Sequence, residues 1–141
     1  MKRPVVVLDT NVVVSALRSQ RGASFQVLTA VGGESFDIAI SVPIVLEYEA
    51  ALVAQRVPGI TERDVRIALD YLCEVGLEQQ VFFLWRPTLR DPNDDMVLEL
   101  AVAAGCSAIV TYNIRDFRGT ERFGIEVWSP ADLLRKVGFL S

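Results

Sequence analysis

The side chains that could do chemistry in this chain are carboxylates. The sequence contains no histidine, which excludes Ser–His and Cys–His nucleophile pairs, histidine acid–base catalysis and histidine-rich zinc sites. Its notable acids fall in four segments: Asp9, with Asn11 two residues on; Glu47 and Glu49; Asp91, Asp94 and Asp95 around Asn93; and Asp116, close behind Thr111-Tyr112-Asn113. Taken singly, each has a structural explanation. Asp9 and Asn11 suit a helix cap, Asp91, Asp94 and Asp95 suit the positive end of a helix dipole, Glu47 and Glu49 suit exposed helical positions, and Asp116 suits a capped turn. Gathered in one place they would repel one another, and a fold gains nothing from that unless a cation offsets the cost. Carboxylate-only donors select a hard ion, Mg²⁺ or Mn²⁺, over zinc. One or two such ions can activate water and stabilise the charge that develops as a phosphodiester is displaced in line.

The elements around these residues decide whether they meet. The run Val5-Val6-Val7-Leu8 is continuously apolar, as a strand buried on both faces must be. Helical patterns follow over 11–17 and 24–31, then a strand from Asp37 through Ile38-Ala39-Ile40. Ser41 caps a helix with Pro43 in its first turn, running to about Ala54. Pro58-Gly59 marks a turn, and Thr61 with Asp64 forms a capping box that opens a helix to about Glu74. A third strand is expected at 81–84. Asp91-Pro92-Asn93 opens a helix that ends at Gly105, strands follow at 108–111 and 125–128, and Ser129-Pro130 caps a last short helix. Strands alternating with helices predict a three-layer α/β/α sandwich built on a five-stranded parallel sheet. In such sheets ligands bind beyond the carboxyl ends of the strands. Asp9 follows the first strand directly, Glu47 lies early in the helix after the second, Asp91 to Asp95 open the helix after the third, and Thr111, Asn113 and Asp116 follow the fourth. All four acidic segments are thereby expected on one rim.

The composition agrees with one domain spanning 1–141. Its hydrophobic share of 51% is enough for a core without disulfides, and Cys73 and Cys106, with no CxxC spacing, read as buried and inert thiols. No apolar run approaches the length of a membrane span, and the N-terminal run is too short for a signal-peptide core, so a cytoplasmic protein is expected. The net charge of −4 argues against coating nucleic acid by bulk electrostatics. Of the fourteen cations, however, only Lys2 and Lys136 are lysines; the rest are arginines, suited to bidentate phosphate contacts. Arg18, Arg21, Arg90, Arg115 and Arg118 flank the acidic segments, and Arg18, Arg115 and Arg118 are the candidates for holding a phosphodiester backbone.

Four stretches, in order, resemble the motifs of PIN domains: Val-Leu-Asp-Thr-Asn-Val-Val from Val7, Pro-Ile-Val-Leu-Glu-Tyr-Glu from Pro43, Asp-Pro-Asn-Asp-Asp from Asp91, and Ile-Val-Thr-Tyr-Asn-Ile-Arg-Asp-Phe from Ile109. Val127-Trp128-Ser129-Pro130 before a short helix also fits, so the resemblance spans essentially the whole chain. The nearest branch is that of the bacterial and archaeal toxins of toxin–antitoxin pairs. The resemblance implies an Mg²⁺- or Mn²⁺-dependent endoribonuclease acting on single-stranded RNA, a cognate antitoxin protein, and a homodimer for which the helix over 61–74 is a candidate surface. By position it makes Asp9 the first metal ligand, Glu47 the second acid and Asp94 the third, with Asp95, about 100° round the helix, as the rival for the third place. Thr111-Tyr112-Asn113 departs from the family's usual Thr-Gly-Asp. Asn113 supplies no charge, and Asp116 is expected to take that part, with Asn11, Asp91, Asp95, Thr111 and Asn113 as supporting residues.

Two other classes place residues similarly. A phosphatase of the haloacid-dehalogenase type wants a second Asp where this chain has Asn11, and it and a phosphotransfer receiver want a lysine that neither Lys2 nor Lys136 is placed to supply. A PIN-like module that binds RNA or protein without cutting is the closer alternative, but it has no need of four converging acids.

Overall fold

The computed structural model describes residues 3–81, 89 and 91–139. Its strands are β1 (Val5–Leu8), β2 (Asp37–Ile40), β3 (Leu77–Glu78), β4 (Ala108–Val110) and β5 (Glu126–Trp128). Its helices are α1 (Thr10–Arg18), α2 (Ala23–Ala30), α3 (Val42–Gln55), α4 (Glu62–Val75), α5 (Pro92–Ala103) and α6 (Pro130–Lys136), with two 3-10 turns at Ile114–Phe117 and Thr120–Phe123. The sheet has the order β3-β2-β1-β4-β5, and every pairing is parallel. This is the expected three-layer α/β/α sandwich on a five-stranded parallel sheet.

The order follows from the connections. The chain steps outward from β1 through β2 to β3, then returns past β1 to β4 and β5. Right-handed crossovers put the helices of the outward steps on one face and the returning α5 on the other. The packing agrees: α1 touches α2 and α3, α3 touches α4, and α2 touches α6, while α5 lies on β1, β2 and β4. The direction of winding reverses between β1 and β4, where the two crossovers diverge and leave a crevice beyond the strand ends. Asp9 and Thr111 stand at that point.

The core explains why the central strands are short and apolar apart from Asp37 at the start of β2. Val6, Val7, Leu8, Ile38, Ala39, Ala108, Ile109 and Val110 are all buried, with helices against both faces of the sheet. The helix signals act where the sequence places them. Ser41 accepts from the Ile44 amide, Thr61 and Asp64 form a reciprocal capping box, and Ser129 and Asp132 form a second. Gly105 takes the left-handed conformation, φ +64°, that ends α5.

Two expectations change. The strand expected over 81–84 lies outside the described residues except for Val81, which is in no strand. The third strand is Leu77–Glu78, which pairs with Ala39 and Ile40. It is two exposed residues at the sheet edge, so no apolar run marks it. Cys73 is exposed, whereas Cys106 is buried as expected. α4 turns Leu69 and Leu72 inward, and Cys73, one step round from Leu72, faces solvent. No described helix is long and apolar enough to cross a membrane.

Ile109 is fully buried in the middle of β4. Ile109→Ala should lower the unfolding free energy by about 2–5 kcal/mol, read from urea denaturation; a loss well under this range would mean that the centre of the sheet is not the packed core described.

Candidate active site

Asp9 is the N-cap of α1 and is only 7% exposed. A carboxylate this deeply buried needs donors. The Thr10 amide donates to one oxygen at 2.8 Å and the Thr111 hydroxyl to the other at 2.7 Å. Thr111 is wholly buried at the end of β4, where its own amide donates to the Trp128 carbonyl. Its hydroxyl oxygen also accepts from the Asn113 amide at 2.9 Å and from the Asn11 side chain at 3.3 Å. The Asn11 carbonyl oxygen in turn receives the Tyr112 amide. Thr111, Asn11 and Asn113 therefore form one network that ties the β1 and β4 termini together and aims Asp9. Asn113 takes part through its backbone, so its lack of charge is no obstacle to that role.

A cleft of about 520 Å³ opens above Asp9. Its polar lining includes Asn11, Arg18, Glu47, Asp91, Asp94 and Asn113. Glu47 reaches it from α3, with Ala51 and Gln55 one and two turns on. Asp91 caps α5 by accepting the Asn93 amide at 2.9 Å. Asp94 and Asp95, adjacent in sequence, part company. Asp95 is buried and accepts the Leu89 amide at 2.9 Å, holding the chain that enters α5. Asp94 is half-buried and faces the cleft. Asp116, exposed on the first 3-10 turn, stands outside the lining, yet its charge acts on both Asp9 and Asp94.

The electrostatics follow from that gathering. The Asp94 carboxyl is pushed up to about 7, first by burial and then by the charges of Asp9, Asp91, Asp116 and Asp95. Burial also raises Asp9, against the lowering effect of its bonds to Thr111 and Thr10, with Asp116 and Asp91 adding to the rise. Among the described residues no three acids are drawn round one point as a ready cation cage. The donor set still fits a hard cation, because Mg²⁺ commonly keeps several waters and takes only one or two protein carboxylates.

The arginines are less concentrated. Arg18 lines the cleft and donates to Gln55 at 3.0 Å. Arg115 is exposed on the 3-10 turn that carries Asp116. Arg118 lines a separate hollow against β5 with Ile125 and Val127. Arg21 is exposed beyond α1, and Arg90 lies outside the described residues. Sequence reasoning passed over Gln55, which holds Arg18 across the cleft, and Tyr48, whose hydroxyl donates to the Leu8 carbonyl beneath Asp9. An aromatic residue in an apolar helical stripe carries no signal for such a bond.

A family model for the PIN domain matches residues 5–115. The chain belongs to the PIN-domain family. Two solved structures share the fold of this PIN domain. One is VapBC2 from Rickettsia felis bound to a DNA fragment from their promoter, with a TM-score of 0.58 and 17% identity, covering 89% of this chain and 99% of that one. The other is VapBC-1 from nontypeable Haemophilus influenzae, with a TM-score of 0.55 and 12% identity, covering 90% and 98%. No curated protein matches the sequence.

A carboxyl raised on folding keeps a proton that the unfolded chain gives up, so the stability it allows is lost as pH rises from the ordinary value of 3.8 through about 7. The melting temperature of the metal-free protein should fall between pH 5 and pH 8, and Asp94→Asn should melt higher than wild type at pH 8. Scanning calorimetry in EDTA measures both; an Asp94→Asn variant that melts lower at pH 8 would contradict the electrostatics of the cleft.

Proposed function

We propose that this PIN domain is a divalent-metal-dependent endoribonuclease that cuts single-stranded RNA and serves as the toxin of a toxin–antitoxin pair. The observation that carries the nuclease reading is the gathering of Asp9, Glu47, Asp91 and Asp94 in one cleft. Four acids meet there at the switch point of a parallel sheet, an arrangement that costs stability and suits a hard cation.

On this reading Asp9 and Asp94 would hold Mg²⁺ or Mn²⁺, and Glu47 and Asp116 would complete the acidic surroundings of the cation. When bound, the cation makes water a nucleophile at neutral pH and offsets the charge that develops on the phosphodiester. Thr111 keeps Asp9 in one rotamer, and the supporting Asn11, Asn113 and Asp91 hold the chain segments on either side. Asp95 secures the entry to α5, so that its neighbour Asp94 is presented at a fixed angle. Arg18, in the cleft lining, binds a backbone phosphate, while Arg115, exposed on the 3-10 turn that carries Asp116, extends the path.

The toxin role has separate support in the likeness to the VapBC2 and VapBC-1 structures. A cognate antitoxin would seat a cationic segment on the acidic rim. Its test is co-purification with the product of an adjacent small gene. The homodimer that the resemblance implies is tested by light scattering of the purified protein.

Wild-type protein should cleave a labelled single-stranded RNA pool with Mn²⁺ and stop in EDTA. Asp9→Asn should reduce cleavage to background while keeping its folded spectrum, because it removes charge from a repulsive cluster. Undiminished cleavage by Asp9→Asn would overturn the assignment. RNA retention without cleavage by wild type would favour a binding module instead.

A further inference from the structure

We propose that Tyr48 is a positioning residue that sets the distance between the Asp9 and Glu47 carboxylates. This rests on the metal-site reading given above. Tyr48 is fully buried, and its hydroxyl donates to the carbonyl of Leu8, the residue immediately before Asp9. Its neighbour in sequence, Glu47, lines the cleft with Asp9. One side chain thus joins the backbone that carries the first acid to the helix that carries the second.

The periodicity of α3 explains why the joint acts on the cleft. Ile44, Tyr48 and Leu52 form its buried stripe. Glu47, Ala51 and Gln55 form the adjacent stripe that faces the cleft. Residues four apart lie on one helical face, so the bond at Tyr48 fixes both how close α3 comes to the end of β1 and how it is rotated. Rotation of α3 about its axis would carry Glu47 along the cleft wall. Ile44 and Leu52 anchor the same stripe by packing, which tolerates sliding better than a directional hydrogen bond does.

Tyr48 is therefore one step removed from the ligands. It touches neither the cation nor the RNA, and it acts through a main-chain carbonyl. Groups that orient metal ligands in this way typically matter by about 10- to 100-fold in metal affinity.

The test is Mn²⁺ titration of metal-free protein, read by electron paramagnetic resonance, for wild type, Tyr48→Phe, Ile44→Val and Asp9→Asn. Tyr48→Phe removes only the hydroxyl and retains the ring that fills the core. Ile44→Val loosens the same buried stripe without touching the hydrogen bond. The expected result is Mn²⁺ affinity about 10- to 100-fold weaker in Tyr48→Phe, unchanged in Ile44→Val and lost in Asp9→Asn. Thermal melts should place Tyr48→Phe and Ile44→Val similarly close to wild type. Wild-type affinity in Tyr48→Phe would overturn the proposal, as would equal weakening in Ile44→Val, which would mean general loosening of the core. If wild type binds no Mn²⁺, or Asp9→Asn binds as well as wild type, the metal-site reading itself fails and the role of Tyr48 falls with it.

Discussion

A carboxylate taken out of water must be met by donors, and the placement of Asp9 directly after the buried Val6–Leu8 of β1 makes that requirement the centre of this structure. The Thr10 amide is available because Asp9 begins α1, and the Thr111 hydroxyl is available because β4 lies directly beside β1. The second donor would be absent in another strand order. The third attachment, from Tyr48 to the Leu8 carbonyl, requires α3 to leave the neighbouring strand β2 and pass over the end of β1. Sheet order, crossover direction and the direction in which Asp9 points are consequently one constraint. The fold positions this acid by its topology rather than by a mobile loop.

Around that fixed group the molecule accepts an electrostatic cost. Asp94 is raised to about 7 by burial and by Asp9, Asp91, Asp116 and Asp95. The compensation comes from the apolar centre, where β1, β2 and β4 are covered on both faces and the largest buried side chains pack together. Asp95 shows how the division is made within a single turn of helix. By accepting the Leu89 amide it stabilises the entry of α5, while Asp94, one residue earlier, bears the repulsion. Two adjacent and chemically identical residues thus serve the fold and the cleft separately.

Much of this was legible in the sequence because it depends on local rules. Ser41, Thr61, Asp64, Asp91 and Ser129 cap the helices they were expected to cap, and the continuous apolar runs at β1 and β4 could only be central parallel strands. The carboxyl-edge rule then brought Asp9, Glu47, Asp91 and Asp94 to one cleft without any knowledge of side-chain contacts. What escaped had no local signal. β3 is two exposed residues held by pairing with Ala39 and Ile40, so its existence depends on β2. Cys73 differs from the buried Leu72 only by its angle round α4. The bonds from Tyr48 to Leu8 and from Asn11 to Thr111 join residues far apart in the chain, and a tyrosine flanked by apolar residues looks the same whether or not its hydroxyl has a partner. The separation of Arg118 from the cleft is of the same kind, since it depends on how the 3-10 turns fold back on β5.

The charge of the chain fits this division of labour. A net charge of −4 gives a polyanion little general reason to approach, so attraction has to be local. Asp9, Glu47, Asp91 and Asp94 line the cleft together with Arg18, which donates to Gln55. A bare cluster of carboxylates repels a phosphodiester, whereas the same cluster with a divalent cation among them does not. Screening by salt weakens the long-range repulsion but leaves the interactions inside the partly buried cleft largely intact. On the proposed reading, access to the phosphate and the capacity to cleave it depend on the same event, occupancy of the acidic floor. On that reading the excess negative charge would work as a condition on binding, because the bare acids repel a phosphodiester that a cation among them would receive.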